Sequence, residues 1–325
     1  MKYLLRQICL YLLAAWASLT LNFILPRTMP GDPVTALMAR MHGHLQPNEI
    51  EAIKQAYGFN SGPILNQYFQ YISHALRGDF GISISSYPAT VSAIISTSFL
   101  WTVLLGSVTL VISFVLGTAL GVIIAWRRSG FLDSTLPGLS GFVGSFPYFW
   151  LAMVALYFMG FRLGWFPLSH AYSDYLSPGF TWDYIGSVIS HMVLPATTII
   201  LVSVGGWMVG MRSTMIAVLN EDYIIMAEAK GLSQRAIMFN YAMRNAILPN
   251  ITQFGMSIGF IVAGQLLTEI VFSYPGLGFY LVRSVETLDY PLMQALFLMI
   301  TLAVLAANFL VDILYVQLDP RVRVS

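Results

Sequence analysis

Charge is scarce in this chain. Of its 325 residues only 10% are Asp, Glu, Lys or Arg, against 57% hydrophobic, and mean hydropathy is +0.72. A water-soluble domain carries roughly 25% charged residues, so most of this surface does not face water. The net charge of +1 is too small for the basic footprint of nucleic-acid binding. A single cysteine, Cys9, excludes an internal disulfide and a Cys-based metal site. The lysines Lys2, Lys54 and Lys230 follow Met1, Ile53 and Ala229. None completes G-x-x-x-x-G-K-[ST], the loop whose amides and lysine hold phosphates, so no ATP site of that kind exists here. The histidines (His42, His44, His74, His170 and His191) are scattered and form no HExxH. The His42/His44 pair on a polar loop reads as solvated, and no metal site is expected.

What the chain has is long apolar runs. Charge-free windows of 20 residues or more cover 7–26, 55–76, 80–126, 134–161, 184–211, 245–268 and 290–311. The second is broken by Gly, Asn, Pro and Gln. Crossing a bilayer core takes about 20 mostly apolar residues. Six spans are therefore predicted, near 8–26, 99–126, 139–160, 192–211, 250–273 and 293–316. The first resembles a signal peptide, with Lys2 and Arg6 before it and a small-x-small Ala15-Trp16-Ala17. Its apolar run continues through Leu25, too long for a signal core, so a retained span is expected.

With both termini in the cytoplasm, the inner segments hold Lys2, Arg6, Arg127, Arg128, Arg212, Lys230, Arg235, Arg244, Arg321 and Arg323. The longer outer segments hold only Arg27, Arg40, Lys54, Arg77, Arg162 and Arg283. The positive-inside rule favours this orientation. The outer segment 27–98 then forms a small cap. In it, "PNEIEAIKQAYGF" from Pro47 carries a helix-start pattern, and "RGDFGIS" from Arg77 reads as a turn. The aromatic, proline-rich loop Leu163 to Trp182 fits two readings: interfacial anchoring, or a surface that docks a partner or guides solute. The chain divides in this reading into 1–98, a span plus cap, and 99–325, a five-helix core containing the cytoplasmic loop 212–250.

"GLSG" (Gly138 to Gly141) is similar to the G-x-S-G of intramembrane serine proteases, with His191 as the candidate base. The two sit at opposite ends of neighbouring spans, whereas a nucleophile and its base must lie within about 3 Å. Small residues that let helices pack closely is the better reading. Ion-coupled carriers place ionisable groups deep in the membrane, and these spans hold almost none. Asp312 follows Asn308 by one helical turn and reads as a structural pair. Glu269, near the outer end of the fifth span, fits a satisfied interior carboxylate or a gate residue. What remains is a pathway whose driving force comes from elsewhere.

One polar stretch stays outside the bilayer: "EDYIIMAEAKGLSQRAIMFNYAMRNAILPN", Glu221 to Asn250. Glu221 and Asp222 open a helical run, where carboxylates suit the positive end of the helix dipole. Gly231 caps or breaks it, Ser233 caps a second helix, and Pro249 ends that helix or marks entry into the fifth span. A helix, a glycine corner and another helix make a rigid element. Such an element fits a groove on another protein, or it lies on the headgroups as an amphipathic helix.

"DYIIMAEAKGLS" followed by "RNAILP" resembles the cytoplasmic EAA loop in membrane subunits of bacterial ABC importers, and more closely their dipeptide/oligopeptide/nickel branch. The likeness continues through "PGDPV" at Pro30, "GDFGIS" at Gly78, "PYFWLA" at Pro147, "EIVFSYPGLG" at Glu269, "DYPLMQ" at Asp289 and "LDPRVR" at Leu318. The long first outer loop matches the B-type subunit. The resemblance implies an all-α integral membrane protein, type I ABC importer permease-like, with six transmembrane helices and a long outer loop between helices 1 and 2. It lies in the bacterial plasma (inner) membrane, embedded in lipid, and is not an enzyme. Its implied partners are a second homologous permease subunit, two ATP-binding subunits that carry ATP and Mg, and an external solute-binding protein.

The same resemblance assigns ATPase coupling to Glu221, Asp222 and the helix Tyr223 to Leu232. Ala227, Ala229 and Gly231 give close approach and the corner, Glu228 and Lys230 give polar contacts, and Leu232 closes the segment. Arg212, Arg244, Asn245 and Pro249 support the loop. Two departures stand out: the glutamate follows the first alanine instead of preceding it, and many branch members carry arginine where Glu228 stands. The branch imports peptides, nickel chelates and some oligosaccharides; peptides are the expected substrate. A channel or secondary carrier working without an ATPase is the rival of a different class.

Overall fold

The computed structural model describes residues 2–28, 63–127, 130–261 and 265–318. Among them the fold is helical, and the sole β-pairing is an isolated bridge between Ile82 and Thr90. The helices are α1 (Lys2–Thr28), α2 (Ile64–Arg77), α3 (Val91–Trp126), α4 (Phe131–Gly144) and α5 (Tyr148–Ala155), which continues as a π-helix, Leu156–Arg162. Then come α6 (Trp182–Val218), α7 (Asp222–Ala229), α8 (Gln234–Ala236), a second π-helix (Ile237–Met243) and α9 (Arg244–Ala246). The chain closes with α10 (Leu248–Phe260), α11 (Leu266–Val271), α12 (Leu277–Glu286) and α13 (Tyr290–Leu318). The expected helix after Pro47 and the His42/His44 pair lie outside the described residues.

Among the described residues four helices (α1, α3, α6 and α13) are long and apolar enough to cross a membrane by themselves, and the bent pair of α4 with the α5 segment makes up to five. Of the six expected spans, two are not a single described helix. The third bends by 89° between Gly144 and Tyr148. Pro147 has no N–H to give and disfavours helical backbone at Phe146; it stands as the N-cap of α5 with ψ 131. The fifth is not one described helix: α10 ends at Phe260 and α11 starts at Leu266.

Boundaries also move outward. α3 begins at Val91, eight residues before the expected 99. Its polar first turns hold together because Ser96 and Thr97 donate to Ala93 O (2.9 and 3.0 Å) and Ser98 to Ile94 O (2.8 Å). Back-bonded hydroxyls of this kind add no unpaired polar group to a helix. α6 spans 37 residues instead of the expected twenty, from a Thr181 cap that accepts from Tyr184 N–H at 3.3 Å. At about 1.5 Å per residue it is ~55 Å long, well beyond the ~30 Å hydrocarbon core.

The chain forms two compact units. The first comprises 1–103, 262–266 and 275–325; the second comprises 104–261 and 267–274. In the first unit, Val91, Ile94 and Ile95 of α3 pack with Leu277 and Leu281 of α12 and Leu292, Ala295 and Leu296 of α13. Above this core the expected turn at Arg77 is present: Gly78 and Gly81 adopt φ +69° and +75°, and Asp79 Oδ1 accepts from Gly81 N–H at 3.2 Å. The following loop is held by Asp289, which is fully buried. Its Oδ2 accepts from Ser83 Oγ (2.5 Å), Ser85 N–H (2.8 Å) and Ser85 Oγ (2.8 Å). Its Oδ1 accepts from Leu292 N–H at 3.3 Å.

In the second unit α3 and α6 approach closely at two glycines one turn apart. A Cβ on Gly117 would lie 2.5 Å from Trp207 Cβ, and one on Gly121 would lie 2.6 Å from Met208 O. Ser140 of the "GLSG" stretch sits against Gly205, where a Cβ would come within 2.8 Å of Ser140 Cβ. Its hydroxyl donates to Pro137 O, while His191 Nδ1 lies 2.7 Å from Ser187 O. The stretch packs helices, as its small residues suggest.

Candidate functional site

The stretch after α6 folds into the expected helix, corner and helix. Leu219 and Asn220 turn the chain, and Glu221 takes the N-cap position with extended backbone (φ −78°, ψ 147°), its side chain making no capping bond. Asp222 stands in the first turn of α7, where its charge favours the helix dipole. At the other end Gly231 is left-handed (φ +71°). Its N–H donates to Glu228 O at 2.9 Å and Leu232 N–H donates to Ala227 O at 3.3 Å. Those paired bonds form a Schellman cap, which satisfies carbonyls that would otherwise be orphaned. Ser233 Oγ then accepts from Ala236 N–H at 3.3 Å and starts the next helix. Pro249 falls in the first turn of α10, so it marks entry into that helix.

α7 is seated by one face. Ile224 and Ala227 are 2% and 3% exposed. They pack with Val122 and Ala125 at the end of α3, Met211 and Met215 of α6, and Ile237, Ala242 and Ala246 of the following helices. Tyr223 and Leu232 border this cluster. Asn245 Nδ2 donates to Tyr223 OH at 2.9 Å, tying α9 to α7. The close approach offered by Ala227 is thus to the chain's own core.

The opposite face is open. Asp222, Ile225, Met226 and Ala229 recur at helical spacing and are all exposed, as are Glu228, Lys230 and Gly231. Ile225 and Met226 expose 57% and 64% of their surface. This apolar pair lies within the expected coupling helix but was not singled out there. The exposed face of this short helix carries Asp222 near its start, Glu228 and Lys230 near its end, and two large apolar side chains between them.

The supporting residues divide. Asn245 touches α7 directly, whereas Arg212 Nε pairs with Asp133 Oδ1 at 2.7 Å, both half-buried or less exposed, and so fixes α6 to α4. Arg244 and Pro249 are exposed. The neighbouring Asn250 is buried, and its Nδ2 donates to Trp207 O (3.3 Å) and Thr118 Oγ1 (3.4 Å), joining α10 to α6 and α3. Glu269 lies away from this assembly in the sequence and is 1% exposed, with Tyr274 N–H donating to its backbone carbonyl at 2.8 Å. Among the described residues no group of three or more His, Cys, Asp or Glu side chains gathers for a metal ion.

Residues 117–324 match the family described as binding-protein-dependent transport system inner membrane component. Similarity to individual proteins runs along almost the whole chain. The dipeptide transport system permease protein DppB of Escherichia coli is 32% identical over 339 residues, covering 99% of each chain. DppB of Lactococcus lactis is 31% identical over 322 residues, again 99% of each. The oligopeptide transport system permease protein AppB of Bacillus subtilis is 32% identical over 304 residues, 93% of each.

Proposed function

Starting from a chain that belongs to the binding-protein-dependent transport system inner membrane components, and so is a multi-pass membrane permease subunit, we propose that it is the B-type pore subunit of an ATP-driven importer of di- and oligopeptides. The observation that carries this reading is α7. Its C-terminal end is closed by a Schellman cap, its inner face is locked into the core, and its outer face presents Ile225 and Met226 without cover. A helix so mounted moves as a unit with what it packs on. The chain itself has no phosphate-binding loop, so the nucleotide work falls to two partner subunits carrying ATP and Mg.

In this reading the partner ATPase receives α7 in a surface groove, with Asp222, Glu228 and Lys230 at the rim and Ile225, Met226 and Ala229 in its centre. Closure of the ATPase pair displaces α7. Ile224 and Ala227 pass the displacement to Met211 and Met215, and α6 carries it along a rod longer than the bilayer core is thick. Residues of Tyr223 to Leu232 that face inward, Ala227 above all, serve the transmission; those that face outward serve the contact. Both termini are cytoplasmic, a second homologous permease completes the pore, and an external binding protein delivers solute. Peptide as the solute rests on the names of the full-length relatives.

The test is to isolate the external binding protein that co-purifies with the assembled complex, elute its ligand and weigh it. A ladder of peptide masses is expected. Hexose-spaced masses, or a metal chelate, would replace the peptide assignment while leaving the importer reading intact. ATP-independent solute flux through proteoliposomes holding this chain without ATPase subunits would overturn the importer reading itself.

A further inference from the structure

The cap helix α2 (Ile64–Arg77) lies outside the stretch matched to the transport family, and its surface is divided into three faces. Leu65, Phe69, Ile72 and Leu76 recur at i, i+4, i+7 and i+11 and share one face; Leu65, Phe69 and Leu76 are 65%, 64% and 79% exposed. Asn66, Gln70, Ser73 and Arg77 repeat the same spacing one residue on, and all are exposed. The third face holds α1. Tyr68 OH is 2.8 Å from Thr20 Oγ1, and Arg27 Nη2 donates to Gln67 Oε1 at 3.1 Å. Phe23 stacks edge-on with Tyr68 (centroids 5.2 Å) and meets Tyr71 at 5.8 Å.

We propose that α2 is an interfacial helix, seated at the lipid surface where α1 leaves the bilayer, with the Leu65–Phe69–Leu76 stripe against acyl chains and the Gln70–Ser73–Arg77 stripe toward water. The depth argument is quantitative. The apolar window of α1 ends at Leu25. Thr20, the partner of Tyr68, lies five residues before that end, or about 7.5 Å at the helical rise. Interfacial helices bury their apolar face by about 5–10 Å. Arg27, the partner of Gln67, lies just past the window, at headgroup level. α2 therefore straddles the boundary.

Its orientation follows from the same contacts. They gather on Gln67, Tyr68 and Tyr71, about one turn of a helix ~21 Å long, as expected where two helices cross instead of running alongside. A helix lying in the plane of the surface would meet a membrane span over such a short stretch. α2 contains no Asp or Glu, and its charged residue is Arg77 on the polar face, which suits anionic headgroups. Continuity supports the occupant: α1, which α2 grips, itself exposes Leu21, Ile24 and Leu25 to lipid at this depth (61%, 46% and 41%).

The experiment uses the assembled complex in lipid nanodiscs, in a Cys9→Ser background, with nitroxide attached at Phe69→Cys, Leu76→Cys, Asn66→Cys or Ser73→Cys. All four sites are exposed, so substitution removes little packing. Collision with oxygen, which dissolves in lipid, is compared with collision with a water-soluble nickel chelate. The oxygen-to-nickel ratio at the Phe69→Cys and Leu76→Cys sites should exceed that at the other two several-fold, since oxygen concentrates among acyl chains and the chelate stays in water. Equal nickel access at all four sites would put the stripe in water and overturn the proposal. Shielding of the first two sites from both reagents would mean that a protein partner covers the stripe, and would overturn it equally.

Discussion

Replacing Ile225 and Met226 together by serine removes the apolar centre of the open face of α7 while leaving its seated face intact. The two side chains are 57% and 64% exposed. Full burial of an Ile or Met side chain is favourable by about 1.5–3 kcal/mol, so covering the exposed part of both contributes roughly 2–3.5 kcal/mol. At 1.4 kcal/mol per decade that is a weakening of about thirtyfold to a few hundredfold. The assay is titration of the purified ATPase subunits onto the permease pair held in nanodiscs, with ATP hydrolysis stimulated by loaded binding protein as the functional readout. Stability of the permease itself should change by no more than about 0.5 kcal/mol, the range for surface substitutions. That second measurement separates a lost contact from a damaged fold. Unchanged ATPase affinity with unchanged stimulated hydrolysis would refute the docking argument and leave α7 as a helix resting on headgroups. An Ala227→Leu variant should do the opposite: it overfills a core position that is 3% exposed and lowers stability by about 1–3 kcal/mol.

Three further outcomes follow from the geometry. Gly231→Val places a β-branched residue at φ +71° with nothing within 4 Å to clash, so its effect is purely on the backbone, about 1–2 kcal/mol. Gly231→Asn should recover most of it, as read by uptake and by thermal unfolding in parallel. Asp289→Ala removes the acceptor shared by Ser83 and Ser85 and should destabilise the first unit by about 3 kcal/mol, the scale for hydrogen bonds to a buried charge. Protease sensitivity of the Gly78 to Thr90 loop checks it, and an unaltered cleavage rate would count against the Asp289 anchor. Gly121→Val drives a Cβ to 2.6 Å from Met208 O and should cost about 1–3 kcal/mol. Substitution at Gly255, where nothing lies within 4 Å, is the control expected to fold normally.

The parts of this fold that were legible in the sequence are those dictated by chemistry within a few residues. Gly231 is left-handed and Ser233 caps because a run of helix formers ended in Lys-Gly-Leu-Ser, and only those residue types make that corner cheaply. The bend between α4 and α5 was legible in the same way, from Phe146-Pro147, but a charge-free window running from 134 to 161 hid it. Such windows mark where charge is absent, not where helices end, and so α3 starts eight residues early on self-satisfied hydroxyls. Contacts between distant residues gave no local signal. Asp289 meets Ser85 across 204 positions, and Arg212 meets Asp133 across 79. In a soluble protein the exposed Ile225 and Met226 would announce an interface by contrast with a polar surface. Here lipid-facing side chains are just as apolar, and the contrast vanishes. It returns only in the structure, where this pair sits on a short helix flanked by exposed Asp222, Glu228 and Lys230, charges that lipid acyl chains would exclude.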